Sequence, residues 1–145
     1  MIHRVLKNLQ TPTCKNWGLL ILRVVAGVIF VLHGYGKLFG NAPGMEMFTG
    51  MVSKLGFPAA GLFAYLAALS EFVGGIALIL GVCVETASIF LAIVMLVAFF
   101  GVKKASLPAG DVDLALLAIA LSLIPLGAGA FSVSGMMKKN TTDKA

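Results

Sequence analysis

The chain has 145 residues, of which 59% are hydrophobic and 12% charged, and its mean hydropathy is +1.01. Soluble domains are about half apolar and about a quarter charged, so this chain is too apolar for a soluble fold of its size. Disorder is excluded because disordered chains are poor in hydrophobic residues. The composition therefore predicts a small integral membrane protein that lies in a lipid bilayer.

The net charge of +5 does not indicate a nucleic-acid partner. The basic residues form no dense patch interleaved with aromatic side chains, as a nucleic-acid surface would require. They lie instead at the ends of apolar segments, where lysine and arginine orient membrane proteins. We therefore predict no binding to nucleic acid.

Four long apolar runs predict four membrane-spanning helices, at residues 17–36, 58–80, 84–102 and 112–131. Each run is close to the ~20 residues that cross ~30 Å of hydrocarbon, where a helix satisfies its own backbone. The predicted fold is an all-α four-transmembrane-helix bundle that forms one domain. Pro125 should kink or loosen the end of the fourth helix.

The first run is expected to remain a helix rather than to be a cleaved signal peptide. Arg23 interrupts its early part, and no small-residue cleavage pattern follows it.

The connection between the first two spans predicts a short amphipathic helix. Phe48, Met51, Val52 and Leu55 recur at helical spacing. Such a helix lies on the membrane surface or caps the bundle, and a plain loop is the alternative.

The tails, residues 1–16 and 132–145, are basic and set the expected orientation. They carry six basic residues, and the opposite side of the bundle carries four: Arg4, Lys7, Lys15, Lys138, Lys139 and Lys144, against Lys37, Lys54, Lys103 and Lys104. An even number of spans puts both termini on one side, and the excess of basic residues favours the cytoplasm.

Two ionisable residues fall inside the apolar runs, where each needs a partner or a purpose. Counted from the predicted helix ends, Arg23 and Glu71 lie roughly 9 and 13 Å from the same end of the bundle. These depths predict an Arg23–Glu71 ion pair across antiparallel neighbours. The pair could form part of a polar site or could only fix the helix register.

A second polar group is expected near the other end, where His33, Lys37 and Asp113 could cluster with Asp111 nearby. Lys37 could instead snorkel to the surface, and His33 could be an ordinary hydrogen-bonded histidine. No metal site is predicted, because one histidine and two carboxylates without close spacing make a poor ligand set.

The small residues of the spans and the two cysteines lead to two further expectations. The glycines of the first two spans should let the helices pack closely; they are Gly27, Gly34, Gly74 and Gly75. Cys14 and Cys83 should both lie near the cytoplasmic face. We expect them to be small apolar fillers, with a redox pair as the less favoured alternative.

These residues resemble the signature of the DoxX family. The first span reads Arg23, Gly27 and Phe30, followed by His33-Gly34-x-x-Lys37-Leu38. The segment Leu55-Gly56-Phe57-Pro58 and the Glu71-x-x-Gly74-Gly75 stretch are also similar to the family. Asp113 stands where the family more often has glutamate. The resemblance implies a multi-pass bacterial inner-membrane protein with Arg23, His33, Lys37, Glu71 and Asp113 as its polar site.

The family resemblance leaves three functions open. Members are named as subunits of thiosulfate:quinone oxidoreductases or linked to thiol and oxidative-stress systems, which implies a redox membrane subunit. Such a subunit would be non-catalytic alone, would bind a quinone or lipid, and would have a soluble or membrane oxidoreductase partner. The chain shows no nucleophile, metal-ligand set or cofactor motif, which favours a scaffold or chaperone-like assembly factor instead. A small transporter is the third alternative, for which four helices are few without a homo-oligomer.

Overall fold

The computed structural model describes residues 11–41 and 44–142, with side chains as far as Met137. All regular elements in these ranges are helices, given in chain order as α1 Pro12–Leu38, α2 Gly44–Lys54, α3 Ala60–Leu80, α4 Val84–Leu96, the π-helix Val97–Val102 that continues α4, α5 Leu107–Leu126, and α6 Val133–Thr142. Four of them are long and apolar enough to cross a membrane, namely α1, α3, α4 with its π-helix, and α5. The predicted four-helix membrane fold with an intervening amphipathic helix is confirmed.

Helix ends differ from the predicted ones where prolines and turns define them. The fourth span starts with a helical turn at Leu107 rather than at residue 112, because Pro108 fits the first turn of a helix. Gly110, with φ −123° and ψ 19°, kinks the chain between this turn and the rest of the helix, which therefore starts close to the predicted residue. The fourth span ends at Leu126, directly after Pro125. The second span begins at Ala60 rather than at residue 58, because Ala59 takes a left-handed conformation with φ 53°.

Parts of both predicted tails are helical in the structure. α1 begins at Pro12, five residues before the predicted start, with Thr11 as its N-cap. The segment after the fourth span contains α6. Of the predicted basic tail residues, Arg4, Lys7 and Lys144 lie outside the described residues, as do the side chains of Lys138 and Lys139.

The spanning helices pack in the order α1, α3, α4, α5. We call the end of the bundle where α1 begins and where α3 and α5 end the tail end, and the opposite end the cavity end. A tight turn at Gly81, with φ 71°, joins α3 to α4 at the tail end. The apolar core includes Phe30, Leu78, Leu91 and Leu123, and it fills the middle and the tail-end half of the bundle.

Glycines bring the backbones of α1 and α3 into contact. A Cβ atom on Gly27 would lie 2.7 Å from the carbonyl oxygen of Gly75, and one on Gly34 would lie 2.5 Å from the backbone nitrogen of Phe72. Gly74 faces the other way, where an added Cβ would lie 3.1 Å from Leu91 of α4. These contacts fix the register of α1 against α3, and that register decides which charged residues can meet.

Candidate functional site

Glu71 is paired with Lys37. The Lys37 Nζ atom lies 2.6 Å from each carboxylate oxygen of Glu71. The Glu71 side chain is fully buried, while the Lys37 side chain is 25% exposed. Lys37 therefore does not simply snorkel to the surface, because its ammonium group turns inward to neutralise a buried carboxylate.

The predicted Arg23–Glu71 pair is wrong. Arg23 is buried, but its Nε donates to the Leu78 carbonyl at 3.1 Å and its Nη2 donates to the Phe131 carbonyl at 2.8 Å. Leu78 lies seven residues beyond Glu71 on α3, which is roughly 10 Å along the helix. The register set by the Gly27–Gly75 contact thus places Arg23 beside the end of α3, not beside Glu71.

The position of Arg23 has a clear physical reason. The last carbonyls of a helix lack partners within that helix and form the negative end of its dipole. The Leu78 carbonyl already accepts a hydrogen bond from the Gly81 backbone nitrogen at 3.2 Å, and the Arg23 guanidinium group donates a second one and compensates the partial charge at this helix end. Arg23 therefore fastens α1 to the end of α3 and to the segment that follows α5.

A cavity of about 420 Å³ lies at the cavity end of the bundle. Its polar lining consists of His33, Lys37, Ser70, Glu71 and Asp113. His33 is exposed and Asp113 is half-buried. The structure thus brings four of the five sequence-predicted polar residues around one space and leaves Arg23 apart from it.

The walls of this cavity are apolar. They come from α2 and the connection that follows it, from α3, and from α4 with its π-helix: Phe48, Val52, Leu55, Phe57, Phe63, Leu66, Ala67, Phe90, Ile93, Val94, Met95, Val97, Ala98 and Val102. Ligand pockets are typically lined in this way, with a few polar groups that fix the orientation of the ligand.

The amphipathic helix α2 covers the cavity at the end of the bundle. The Lys37 ammonium group lies 4.4 Å from the centroid of the Phe48 ring, a cation–π contact that joins α2 to the ion pair. Val52 is buried, and Leu55 reaches the π-helix, where an added Cβ on Gly101 would lie 3.3 Å from the Leu55 side chain. The predicted amphipathic helix therefore caps the bundle.

The π-helix Val97–Val102 is part of the cavity wall that the sequence does not predict. Single π-helical turns occur frequently at functional sites, and this one contributes three lining residues. The continuous apolar run at 84–102 gives no sign of the change in helix type. The sequence feature most closely connected with the π-helix is Gly110. Because Gly110 has no side chain, the ring of Phe99 in the π-helix can pack against its backbone, and an added Cβ there would lie 2.8 Å from that ring.

The remaining candidates lie away from the cavity. The Asp111 carboxylate accepts a hydrogen bond from the Val112 backbone nitrogen at 2.8 Å. Cys14 and Cys83 are exposed at the tail end. Within residues 11–41 and 44–142, no three His, Cys, Asp or Glu side chains are grouped so that they could hold a metal ion.

Four spanning helices around an apolar cavity with a buried ion pair define a small multi-pass membrane protein with an internal site. The chain matches the DoxX family over residues 18–104 and belongs to that family. This region runs from α1 through the π-helix and includes Arg23, His33, Lys37 and Glu71, while Asp113 lies beyond it.

A curated relative from Bacillus subtilis (strain 168), named "Putative oxidoreductase CatD", is 30% identical over 86 residues. The aligned region covers 59% of this chain and 60% of the relative. No solved structure matches the chain.

Proposed function

We propose that this protein is a membrane subunit of a redox system and binds a quinone, or a similar lipid-soluble carrier, in the cavity beside Lys37 and Glu71. The proposal rests on the combination of an apolar cavity with an ion pair on its wall, in which the Glu71 carboxylate is fully buried. Ionisable residues inside a membrane are costly and usually mark ligand or proton sites. The oxidoreductase name of the Bacillus relative supports the redox setting.

The residues present fit a quinone. Quinone carbonyl oxygens accept hydrogen bonds, which the Lys37 ammonium and the His33 ring can donate. Flat rings pack well against aromatic side chains, and Phe48, Phe57 and Phe63 line the cavity. The chain's own residues would therefore bind the ring, orient it and exclude water from around it.

A bound quinone would supply two-electron chemistry coupled to protons. Glu71, His33 and Asp113 are groups that can exchange protons at the cavity. The electrons would come from an associated oxidoreductase, soluble or membrane-bound, so the chain is a binding subunit that is non-catalytic on its own.

The proposal includes a location in the bacterial inner membrane with both termini in the cytoplasm. The basic residues predicted for the two tails support this orientation. The cavity then lies in the half of the bundle that faces away from the cytoplasm.

Binding of decylubiquinone to the purified protein in mild detergent tests the proposal. The double variant Lys37→Met/Glu71→Gln removes both charges while keeping side-chain volume, and we expect its affinity to fall about tenfold or more, which is ~1.4 kcal/mol or more. Lys54→Met is the matched control, since Lys54 is exposed at the same end and does not line the cavity. Equal affinity of the folded double variant and the wild type would refute the site.

A cellular experiment tests the redox role separately. Deletion of the gene should raise sensitivity to thiol oxidants, and the Lys54→Met protein should restore resistance while Lys37→Met/Glu71→Gln should not. Unchanged sensitivity of the deletion strain would count against a role in thiol or oxidative stress.

A further inference from the structure

The cavity is open between α3 and α4. Phe63 and Leu66 of α3 and Phe90 and Ile93 of α4 line the cavity. The same four side chains are 39%, 50%, 55% and 55% exposed, respectively. Side chains that line a cavity and are also this exposed mark the place where the cavity meets its surroundings.

On the side that faces the membrane surface, α2 covers most of the cavity, and Phe57 is the lining residue beside it that is also exposed, at 36%. Val52 of α2 is only 7% exposed, and Phe48 and Leu55 are half-buried over the cavity. The cation–π contact between Lys37 and Phe48 holds α2 against the ion pair.

The opening lies at the depth of the hydrocarbon layer of the bilayer. Leu66 lies six residues into α3, roughly 9 Å from the cavity end, and Ile93 lies nine residues before Val102, roughly 14 Å from that end. Both depths fall in one leaflet of a ~30 Å hydrocarbon layer. Phe90 lies twelve residues before Val102, roughly 18 Å from the cavity end, so the gap reaches the middle of the bilayer. It ends at that level, where Gly74 of α3 meets Leu91 of α4 and the two helices touch.

We infer that the ligand reaches the cavity sideways from the bilayer, through a portal formed by Phe63, Leu66, Phe90 and Ile93, and that it carries a long apolar tail. The tail lies in the portal and the polar head lies at Lys37 and Glu71. The quinone identity of the head rests on the proposed function. A compact polar head on a long apolar tail is shared by prenylated quinones and bilayer lipids, and the test separates these two sources.

If the ligand's tail lies in the portal, shortening the portal side chains should weaken the binding of a ligand with a tail and leave the binding of a tail-free ligand unchanged. We compare decylubiquinone with the tail-free ubiquinone ring on the wild type and on Leu66→Ala/Ile93→Ala. The matched control is Leu69→Ala/Ile89→Ala, on the same two helices, exposed to a similar extent, but outside the cavity lining. Using the control as reference cancels the partitioning of the tailed ligand into lipid or detergent.

The expected result is a severalfold loss of decylubiquinone affinity in the portal variant, with ring affinity unchanged and the control equal to the wild type. If both quinones bind and the portal variant weakens neither or weakens both equally, the portal is refuted while the quinone site stands. If neither quinone binds but mass spectrometry finds a bilayer lipid that copurifies with the control and not with the portal variant, the quinone function is refuted while the portal stands. Failure of every tailed molecule to bind refutes both.

Discussion

At the residue scale, Lys37 and Glu71 occupy unequal positions in their ion pair. Glu71 is fully buried and Lys37 is partly exposed. A charge that stays buried after its partner is removed is strongly destabilising, whereas replacing both partners with neutral groups of similar volume is often tolerated.

Lys37→Met alone should therefore destabilise the protein by about 3–5 kcal/mol. Adding Glu71→Gln should recover a large part of that loss, because no buried carboxylate then lacks its partner. Unfolding of the wild type, both single variants and the double variant in mild detergent gives the coupling between the residues. Strictly additive effects would show that the two side chains do not interact.

Arg23 is a structural cation separated from the cavity, and its geometry leads to a second prediction. Arg23→Lys cannot reproduce two bonds to the carbonyls of Leu78 and Phe131, so it should cost about 1.5–3 kcal/mol per lost bond. The single tryptophan, Trp17, lies 5.1 Å from Phe131 between ring centroids and reports on this region by its fluorescence.

The expected result for Arg23→Lys is a lower melting temperature and a shifted Trp17 emission, with unchanged decylubiquinone affinity. A folded Arg23→Lys protein that no longer binds the quinone would place Arg23 in the binding site instead of at the end of α3.

Individual polar residues could be selected from sequence, but not their partners. Charged residues in apolar runs stand out, so Glu71, Lys37, His33 and Asp113 are all candidates from sequence. Partner assignment needs depths accurate to one helical turn, and the predicted start of the first span is five residues later than the start in the structure. The decisive information was the close contact of Gly27 with Gly75, which spacing alone does not provide.

At the element scale, the contact between α1 and α3 predicts opposite effects for two neighbouring glycines. Gly34→Ala should destabilise the protein by about 1–3 kcal/mol, because its new methyl group would meet the backbone of Phe72. Gly36→Ala is the control, since an added Cβ there has no neighbour within 4 Å. It should be neutral or stabilise α1 by up to about 1 kcal/mol. Equal thermal stability of the two variants would argue against this packing.

The elements differ in how far sequence predicts them. Hydrophobic runs fix the number of spans, and the helical spacing of Phe48, Val52 and Leu55 identifies α2. Helix ends are less predictable, because the apolar run of the fourth span starts at residue 112, whereas Pro108 already lies in a first helical turn before the kink at Gly110. The π-helix was not predictable, since an apolar run satisfies either helix type.

At the scale of the whole molecule, the native Cys83 and a cysteine placed at exposed Lys103 lie at opposite ends of the bundle. We expect a membrane-impermeant maleimide to label Lys103→Cys, in a Cys14→Ser/Cys83→Ser background, in spheroplasts. The Cys14→Ser protein, which keeps Cys83, should be labelled only in inverted vesicles. The reverse pattern would place the termini outside and the cavity in the cytoplasmic half of the membrane.

If the cavity beneath α2 holds the head of a lipid-soluble carrier, an azidoquinone should photolabel the residues that line this cavity. Mass spectrometry of the labelled protein should find the label on cavity residues, in the segments around Phe48–Leu55 and Ser70–Glu71, and excess decylubiquinone should suppress it. Label spread over the lipid-facing surfaces, or concentrated near Trp17 and Phe131 at the tail end, would show that the carrier does not bind in this cavity.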